Sequence, residues 1–453
     1  MDHNSKAQND HNVYILGAGF SREAGYPLIK DFMNRMRDAA AWLQDQVGRT
    51  EELAAIEKVL DFRLKAASAS YRVPLNVENV EELFSLASAS GDKSLSQAMR
   101  LAIAATLDYA SSTANLGSDL HFSVGALESL RLGTPQSWGP ISGTLGSALQ
   151  NEQPKRDWRE CSPYDFYLGL MCGYFHKRGP DCQNTIITLN YDLVIEESLR
   201  HLGIDFHYGI KGRRIVRIDE NKYEQIPISE ASLKLLKLHG SINWCSPAAV
   251  SDEISETSEL SNRDFQRIVA RLVELSEQIA VFDSYRELSS HPSRPTPHLV
   301  PPTWSKSLEA PLTSVLNAAV SALRTATRIV ILGYSLPPTD QHFRYLLAAG
   351  LQDNISLRNI FFVNPSLEKP EIRRSFEERL FGPMGLFRKE HEDQGVVELV
   401  PHSLRTFLSG ETGSDTAHYR VDIGRTLNPP ALQYSNNAPW RVLPNFGGGV
   451  LLV

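Results

Sequence analysis

The sequence predicts an α/β protein with a Rossmann-like doubly wound parallel sheet, a large helical insertion and an irregular C-terminal extension. Three observations predict it. Short apolar runs bounded by Gly, Asn or Pro recur at wide intervals and read as strands buried on both faces. A glycine-rich turn, Gly17-Ala18-Gly19-Phe20-Ser21, follows the first of them. The gap from the first run to the second far exceeds one crossover helix, so an inserted lobe must fill it.

In chain order the predicted strands are residues 13–16, 185–189, 233–238, 328–332, 359–363 and 396–400. After the first, the glycines permit a tight turn, and a helix starting at Ser21 would offer free N–H groups and a positive dipole end to an anion. Ile29, Phe32, Met33, Met36, Ala40, Leu43 and Val47 then follow helical spacing, with Lys30, Asp31, Arg35, Arg37 and Asp38 between them. Asn79-Val80-Glu81-Glu82-Leu83-Phe84 opens another helix, its acidic residues in the first turn where the backbone dipole favours them. Residues 264–285 read as helix-like, and residues 289–302, rich in Pro and Ser, as an exposed loop. The tail, ending Val450-Leu451-Leu452-Val453, is expected to add an edge strand or to grip another subunit. The predicted division is a core of residues 12–32, 184–245 and 312–375, a mainly helical insertion at 33–183, a second insertion or lid at 246–311, and an extension at 376–453.

Composition narrows the setting. Lys and Arg total 46 against 53 Asp and Glu, a net charge of −7, which provides no electrostatic footprint for direct nucleic-acid binding. Cys161, Cys172, Cys182 and Cys245 contain no Cys-x-x-Cys pair, so neither a zinc ribbon nor a disulfide framework is expected. The polar start, Met1-Asp2-His3-Asn4, lacks the apolar stretch of a signal peptide, and no run approaches the roughly 20 apolar residues of a membrane span. A cytoplasmic protein is expected.

The candidate site residues sit at strand ends, where open α/β sheets bind ligands. Asn190 and Asp192 follow the strand at 185–189, and His239 follows that at 233–238. Gly333 and Ser335 follow the strand at 328–332, and Asn364, held extended by Pro365, follows that at 359–363. Each also has a structural reading. The Gly17 turn serves as a plain strand-to-helix connection, Asn190 and Asp192 as helix caps, His239 as a core histidine, and Gly333 and Asn364 as turn formers.

The order of the motifs is more specific than any one of them. Gly-Ala-Gly-Phe-Ser, Thr-Leu-Asn-Tyr-Asp, Lys-Leu-His-Gly-Ser-Ile-Asn-Trp, Gly-Tyr-Ser-Leu and Val-Asn-Pro resemble the sirtuin-like family, in particular its bacterial NAD-consuming branch. The helix opened by Asn79 resembles one common in that branch. The resemblance implies that Gly17, Ala18, Gly19 and Ser21 embrace the pyrophosphate of NAD. It places Asn190 and Asp192 by the nicotinamide ribose, with Asn190 positioning a water or the ribose. His239 would be the base or ribose-orienting group, and Gly333, Ser335 and Asn364 would hold the adenosine half. Two departures accompany it. The four-cysteine zinc module that usually follows His-Gly in sirtuin deacylases is reduced to Cys245, and the family's Gln-Asn pair appears as Leu189-Asn190.

These features imply a metal-free NAD glycohydrolase that releases ADP-ribose and nicotinamide. The resemblance adds an abortive-infection role against phage, switched on by self-assembly into a homo-oligomer or by a separate partner such as a short Argonaute, a DNA-translocating ATPase or a phage component. The alternatives are an NAD-dependent protein deacylase and a non-catalytic sensor of NAD or ADP-ribose.

Overall fold

A computed structural model describes residues 11–73, 75–113, 162–172, 183–219, 222–229, 232–250, 272–300, 310–336, 341–381, 397–404, 407, 442–445 and 449–452. The chain begins with β1 (His11–Leu16), every residue of which is buried. Four helices follow: α1 (Ile29–Gln44), α2 (Thr50–Ser70), α3 (Val80–Ala89) and α4 (Lys93–Thr113). A fifth, α5 (Pro163–Met171), precedes β2 (Gln183–Thr188) and α6 (Val194–His201). Next come β3 (Phe206–His207), β4 (Arg213–Asp219), β5 (Lys222–Pro227), β6 (Leu233–Lys237), β7 (Trp244–Cys245), β8 (Leu272–Leu275) and β9 (Ala280–Phe282). The C-terminal part holds α7 (Tyr285–Ser289), α8 (Ala310–Thr325), β10 (Arg328–Leu332), α9 (Gln341–Leu351), β11 (Asn359–Val363), α10 (Pro370–Phe381), β12 (Val397–Val400), β13 (Val442–Asn445) and β14 (Gly449–Leu452).

Among the described residues, seven strands form the main sheet in the order β12-β11-β10-β1-β2-β6-β3, and all its pairs are parallel. This is the predicted doubly wound α/β fold. The chain travels outward from β1 to β2 and the edge strand β3, fills the place between them with β6, then returns to place β10 on the other side of β1. That reversal makes β1 and β10 the switch point, where a crevice opens at the strands' carboxyl ends.

Sequence explains the helices locally. Asn79 caps α3 by accepting from the backbone N–H groups of Glu81 and Glu82, and Glu82 reaches back to the Asn76 N–H. This satisfies donors that the first helical turn leaves open. α1 buries Phe32, Met33, Met36, Ala39 and Leu43 but stops at Gln44. Val47, predicted to continue its apolar face, lies past the helix and is fully exposed.

Several expectations are corrected. The region at 264–285 is not a helix where it is described. Residues 272–275 and 280–282 are strands of a second, antiparallel sheet of order β5-β4-β8-β9-β7, and residues 264–271 lie outside the described residues. The helix expected from Ser21 is a single 3-10 turn, Ser21–Ala24, ended by Gly25 at φ 81°. Residues 289–300 are not an exposed loop, since His291, Leu299 and Val300 are buried. In the described part of the tail, β13 and β14 pair with each other and do not extend the main sheet, whose outer edge is β12.

Candidate active site

Parallel register brings the predicted site residues to one edge. Leu16 of β1 pairs with Leu332 of β10 and with Thr188 of β2, Thr188 pairs with Lys237 of β6, and Leu332 pairs with Val363 of β11. Gly17, Gly333 and Asn364 are therefore the next residues on three strands. Asn190 and His239 each stand two residues beyond the Thr188–Lys237 pair.

The glycines at the switch point pack on each other. The Gly17 N–H donates to Leu332 O at 3.0 Å, the Gly19 N–H to Gly333 O at 2.8 Å, and the Phe20 N–H to Gly17 O at 2.8 Å. A Cβ on Gly17 or Gly19 would lie 2.8 or 2.7 Å from Gly333 O, and one on Gly333 would strike the Phe20 N. Gly333 also holds φ at 64°, in the left-handed region that favours glycine. Glycine is thus required here by backbone meeting backbone. Half-buried Ala18 stands between the two glycines whose N–H groups are bonded to the β10 strand end.

Asn190 does not cap α6. Its Nδ2 donates at 3.0 Å both to Gly17 O and to Ser21 Oγ. Because a carbonyl oxygen only accepts, the contact with Gly17 fixes the amide's orientation and leaves Oδ1 as the acceptor available to a ligand. Its own N–H is held by Thr188 Oγ1 at 3.1 Å. Ser21, buried and not the helix cap, also bonds the side chain of Asp192. Asp192 does help start α6, accepting from the Val194 N–H at 3.2 Å. Burial raises its carboxyl pKa, against the pull of Lys237, Ser21 and the Val194 N–H.

His239 is 5% exposed, and its ring lies edge-to-face with Tyr191 at 6.1 Å. Residues 298–300 form a strap over this turn. The Val300 N–H donates to His239 O at 2.9 Å, the Ser241 N–H to His298 O at 3.2 Å, and the Tyr191 hydroxyl to Val300 O at 2.8 Å. Gly240 sits at φ 81°, and a Cβ there would strike His298 O. Burial keeps the Tyr191 phenol neutral by pushing its pKa far up, with Glu81 of α3 adding to the shift. Sequence reasoning missed Tyr191 and the strap because their contacts join residues far apart in the chain, 109 positions for Tyr191 and Val300.

On the other flank, Asn364 follows its turn reading. Its Oδ1 accepts from the Ser366 N–H and its Nδ2 donates to Tyr334 O. Ser335 is exposed, and its backbone carbonyl accepts from Arg379 at 3.2 Å. These two residues lie on the same edge, but none of their bonds joins them to Asn190 or His239.

Below the edge lies a buried ion pair that sequence reasoning also passed over. Lys237 Nζ donates to Glu196 Oε1 at 2.7 Å and to the backbone carbonyl of Asp192 at 2.5 Å, and both side chains are fully buried. The available signal was a lysine within Leu235-Leu236-Lys237-Leu238, since a buried ammonium needs a partner.

Two cavities flank the edge without containing a predicted site residue. One, about 460 Å³, is lined by Arg100, Ser246, Gln278, Pro295, Thr296 and His298. The other, about 50 Å³, includes Tyr26, Ser111, Tyr164, Glu197 and His201. Strand register and hydrogen bonding, more than open volume, locate the site.

In the smaller cavity, burial and then the charges of Glu196 and Asp192 push Glu197 up to about 7. The folded state then holds a proton that the unfolded chain releases near 4.5, so this group's contribution to stability falls from about pH 4.5 to about pH 7. His11, lowered by burial to about 4, acts with the opposite sign as the pH rises to 6.5. Denaturant unfolding of the parent and Glu197→Gln across that range isolates the carboxyl. The parent should lose stability relative to the variant as pH rises, and a pH-independent difference would refute the assignment.

Among the described residues no three His, Cys, Asp or Glu side chains gather as a metal site. Cys172 and Cys245 are buried and form no disulfide, and burial pushes Cys245 up to about 12. Cys161 and Cys182 lie outside the described residues. No helix among the described residues is long and apolar enough to cross a membrane.

Residues 184–381 match the family model of the SIR2-like domain, a type that commonly uses NAD. The match spans β2, β6, β10 and β11, and leaves the central strand β1 and its glycine turn outside it. No curated protein matches the chain.

Proposed function

We propose that the SIR2-like domain at residues 184–381, completed by β1, hydrolyses NAD to ADP-ribose and nicotinamide. One observation carries this reading: Asn190 and His239 stand at equal height on adjacent strands, and Asn190 is fastened to the Gly17–Ser21 turn by two hydrogen bonds. A pyrophosphate near Ala18 would then share a frame with the group that meets the ribose.

In the reaction, the bond between ribose C1′ and the nicotinamide nitrogen breaks with its electron pair leaving on nicotinamide, which departs neutral. Water forms the new bond to C1′ and gives up a proton. Asn190 Oδ1 accepts a hydrogen bond from that water or from a ribose hydroxyl. His239 orients the ribose hydroxyls or takes the proton. Holding the reactants in this geometry supplies catalysis through orientation, without a covalent enzyme intermediate.

An NAD hydrolase without restraint would empty its own cell of cofactor. We therefore include an activation step in the proposal, by homo-oligomer assembly, a short Argonaute, a translocase ATPase or a phage component, in an abortive-infection response. The strap at 298–300, with Leu299 and Val300 buried, is consistent with a His239 turn that is held in place until such a signal arrives.

The decisive assay incubates purified protein with NAD, alone, with candidate activators and with an acyl-lysine peptide, and follows nicotinamide, ADP-ribose and acylated product. Free ADP-ribose without peptide is the expected result. Turnover that requires the peptide would establish the deacylase instead, and saturable NAD binding with no turnover under any activator would establish the sensor.

A further inference from the structure

Lys237 and Glu196 are both fully buried, yet the other buried residues of the strand carrying Lys237, namely Leu233, Leu235 and Leu236, are all apolar. A methionine would fill that space without the several kcal/mol of desolvation that each buried ion costs. What the ammonium touches accounts for its presence. One of its bonds goes to Glu196, and the other to the backbone carbonyl of Asp192, two residues beyond Asn190. Lys237 itself lies two residues before His239 and in register with Thr188. Tyr208, its hydroxyl 3.4 Å from Glu196 Oε1, closes the cluster.

We propose that Lys237 is a positioning residue that braces the turn carrying Asn190 against the strand carrying His239. It touches no reacting atom. Its ammonium ties the Asn190–Asp192 segment of one strand end to the neighbouring strand, and Glu196 supplies the counter-charge that lets the ammonium remain buried. Through this brace, the separation of the two candidate catalytic groups is fixed from below the sheet edge, while Ser21 and Gly17 hold Asn190 from the side. The inference deepens the NAD-cleaving reading and rests on it for its kinetic consequence.

Lys237→Met alone strands a buried carboxylate and is a poor test, because it threatens the fold. The informative variant is Lys237→Met with Glu196→Met, which removes both charges at nearly constant volume, a kind of replacement that is often neutral for stability. We expect it to fold, to lose on the order of a hundredfold in kcat for nicotinamide release as the catalytic groups drift, and to keep KM for NAD nearly unchanged. Amide exchange should accelerate at residues 190–193 and stay at the parental rate in β1 and β10. Parental exchange at 190–193, or parental kcat, would overturn the proposal. Asn190→Ala, assayed in parallel, separates the two readings: parental turnover in that variant refutes the NAD-cleaving site, whereas the exchange measurement still decides whether Lys237 braces the turn.

Discussion

Asn190→Ala is expected to lower NAD cleavage by about 10²–10³-fold, the scale on which a lost preorganised polar group acts. The variant removes more than the acceptor Oδ1. It also deletes the two hydrogen bonds from Nδ2 to Gly17 O and Ser21 Oγ, in a residue only 7% exposed. A buried acceptor left without its donor costs about 1–3 kcal/mol, so thermal melting should fall along with activity. Asn190→Asp divides the two effects. It preserves shape and keeps an oxygen towards the ligand, but it places an acceptor against the Gly17 carbonyl. Stability should therefore suffer at least as much as in the alanine variant. If both variants retain parental turnover at saturating NAD, Asn190 has no part in the reaction. His239→Ala should lose activity on a similar scale, while the strap contacts of that turn, which run through backbone groups, remain available.

Gly333→Ala is expected to be strongly damaging for a single added methyl. The added carbon would strike the Phe20 N and stand 2.5 Å from the Gly19 carbonyl carbon, at a backbone φ of 64°. Left-handed backbone costs an L-residue about 1–2 kcal/mol, and overpacking typically adds 1–3. The clash lies between backbones, so no side-chain rotation relieves it. Equilibrium unfolding should show a loss of about 2–5 kcal/mol, and NAD cleavage should disappear even where the variant folds, because the Gly17–Ser21 turn that holds Asn190 must shift. Parental stability in Gly333→Ala would mean that the glycine turns do not interlock as described.

The main sheet was legible because its strands are buried on both faces. The runs at 328–332 and 359–363 have the same bounds in sequence and in structure, and no charged side chain interrupts either beyond Arg328. The second sheet was hidden by its own chemistry. In β8 the inward positions are Leu272 and Glu274, and Glu274 is buried there only because Arg214, sixty residues earlier, meets it at 3.1 Å. A carboxylate at a core position erases the alternation that marks a strand, while Leu272, Leu275 and Ile279 imitate helical spacing. The candidate site was legible as a set of strand ends but not as a network. The pairing of Ser21 with Asn190 and of Lys237 with Asp192 depends on which strands become neighbours, which local patterns do not encode. The glycines carried a second ambiguity: a turn that must admit a phosphate and a turn that must admit another turn require the same residue.

The central position of β1 carries a consequence for biosynthesis. The first of the described strands is also enclosed on both sides, by a partner 172 residues downstream and another 316 residues downstream, as the contacts of Asn12 and His11 record. At about 5–20 residues per second of synthesis, β1 waits many seconds for its second neighbour. Neither the glycine interlock nor the finished edge exists until the chain has passed Gly333, so a ribosome-bound or prematurely ended chain lacks the assembled site. The proposed NAD-cleaving site is thereby absent throughout most of the chain's translation, by connectivity alone.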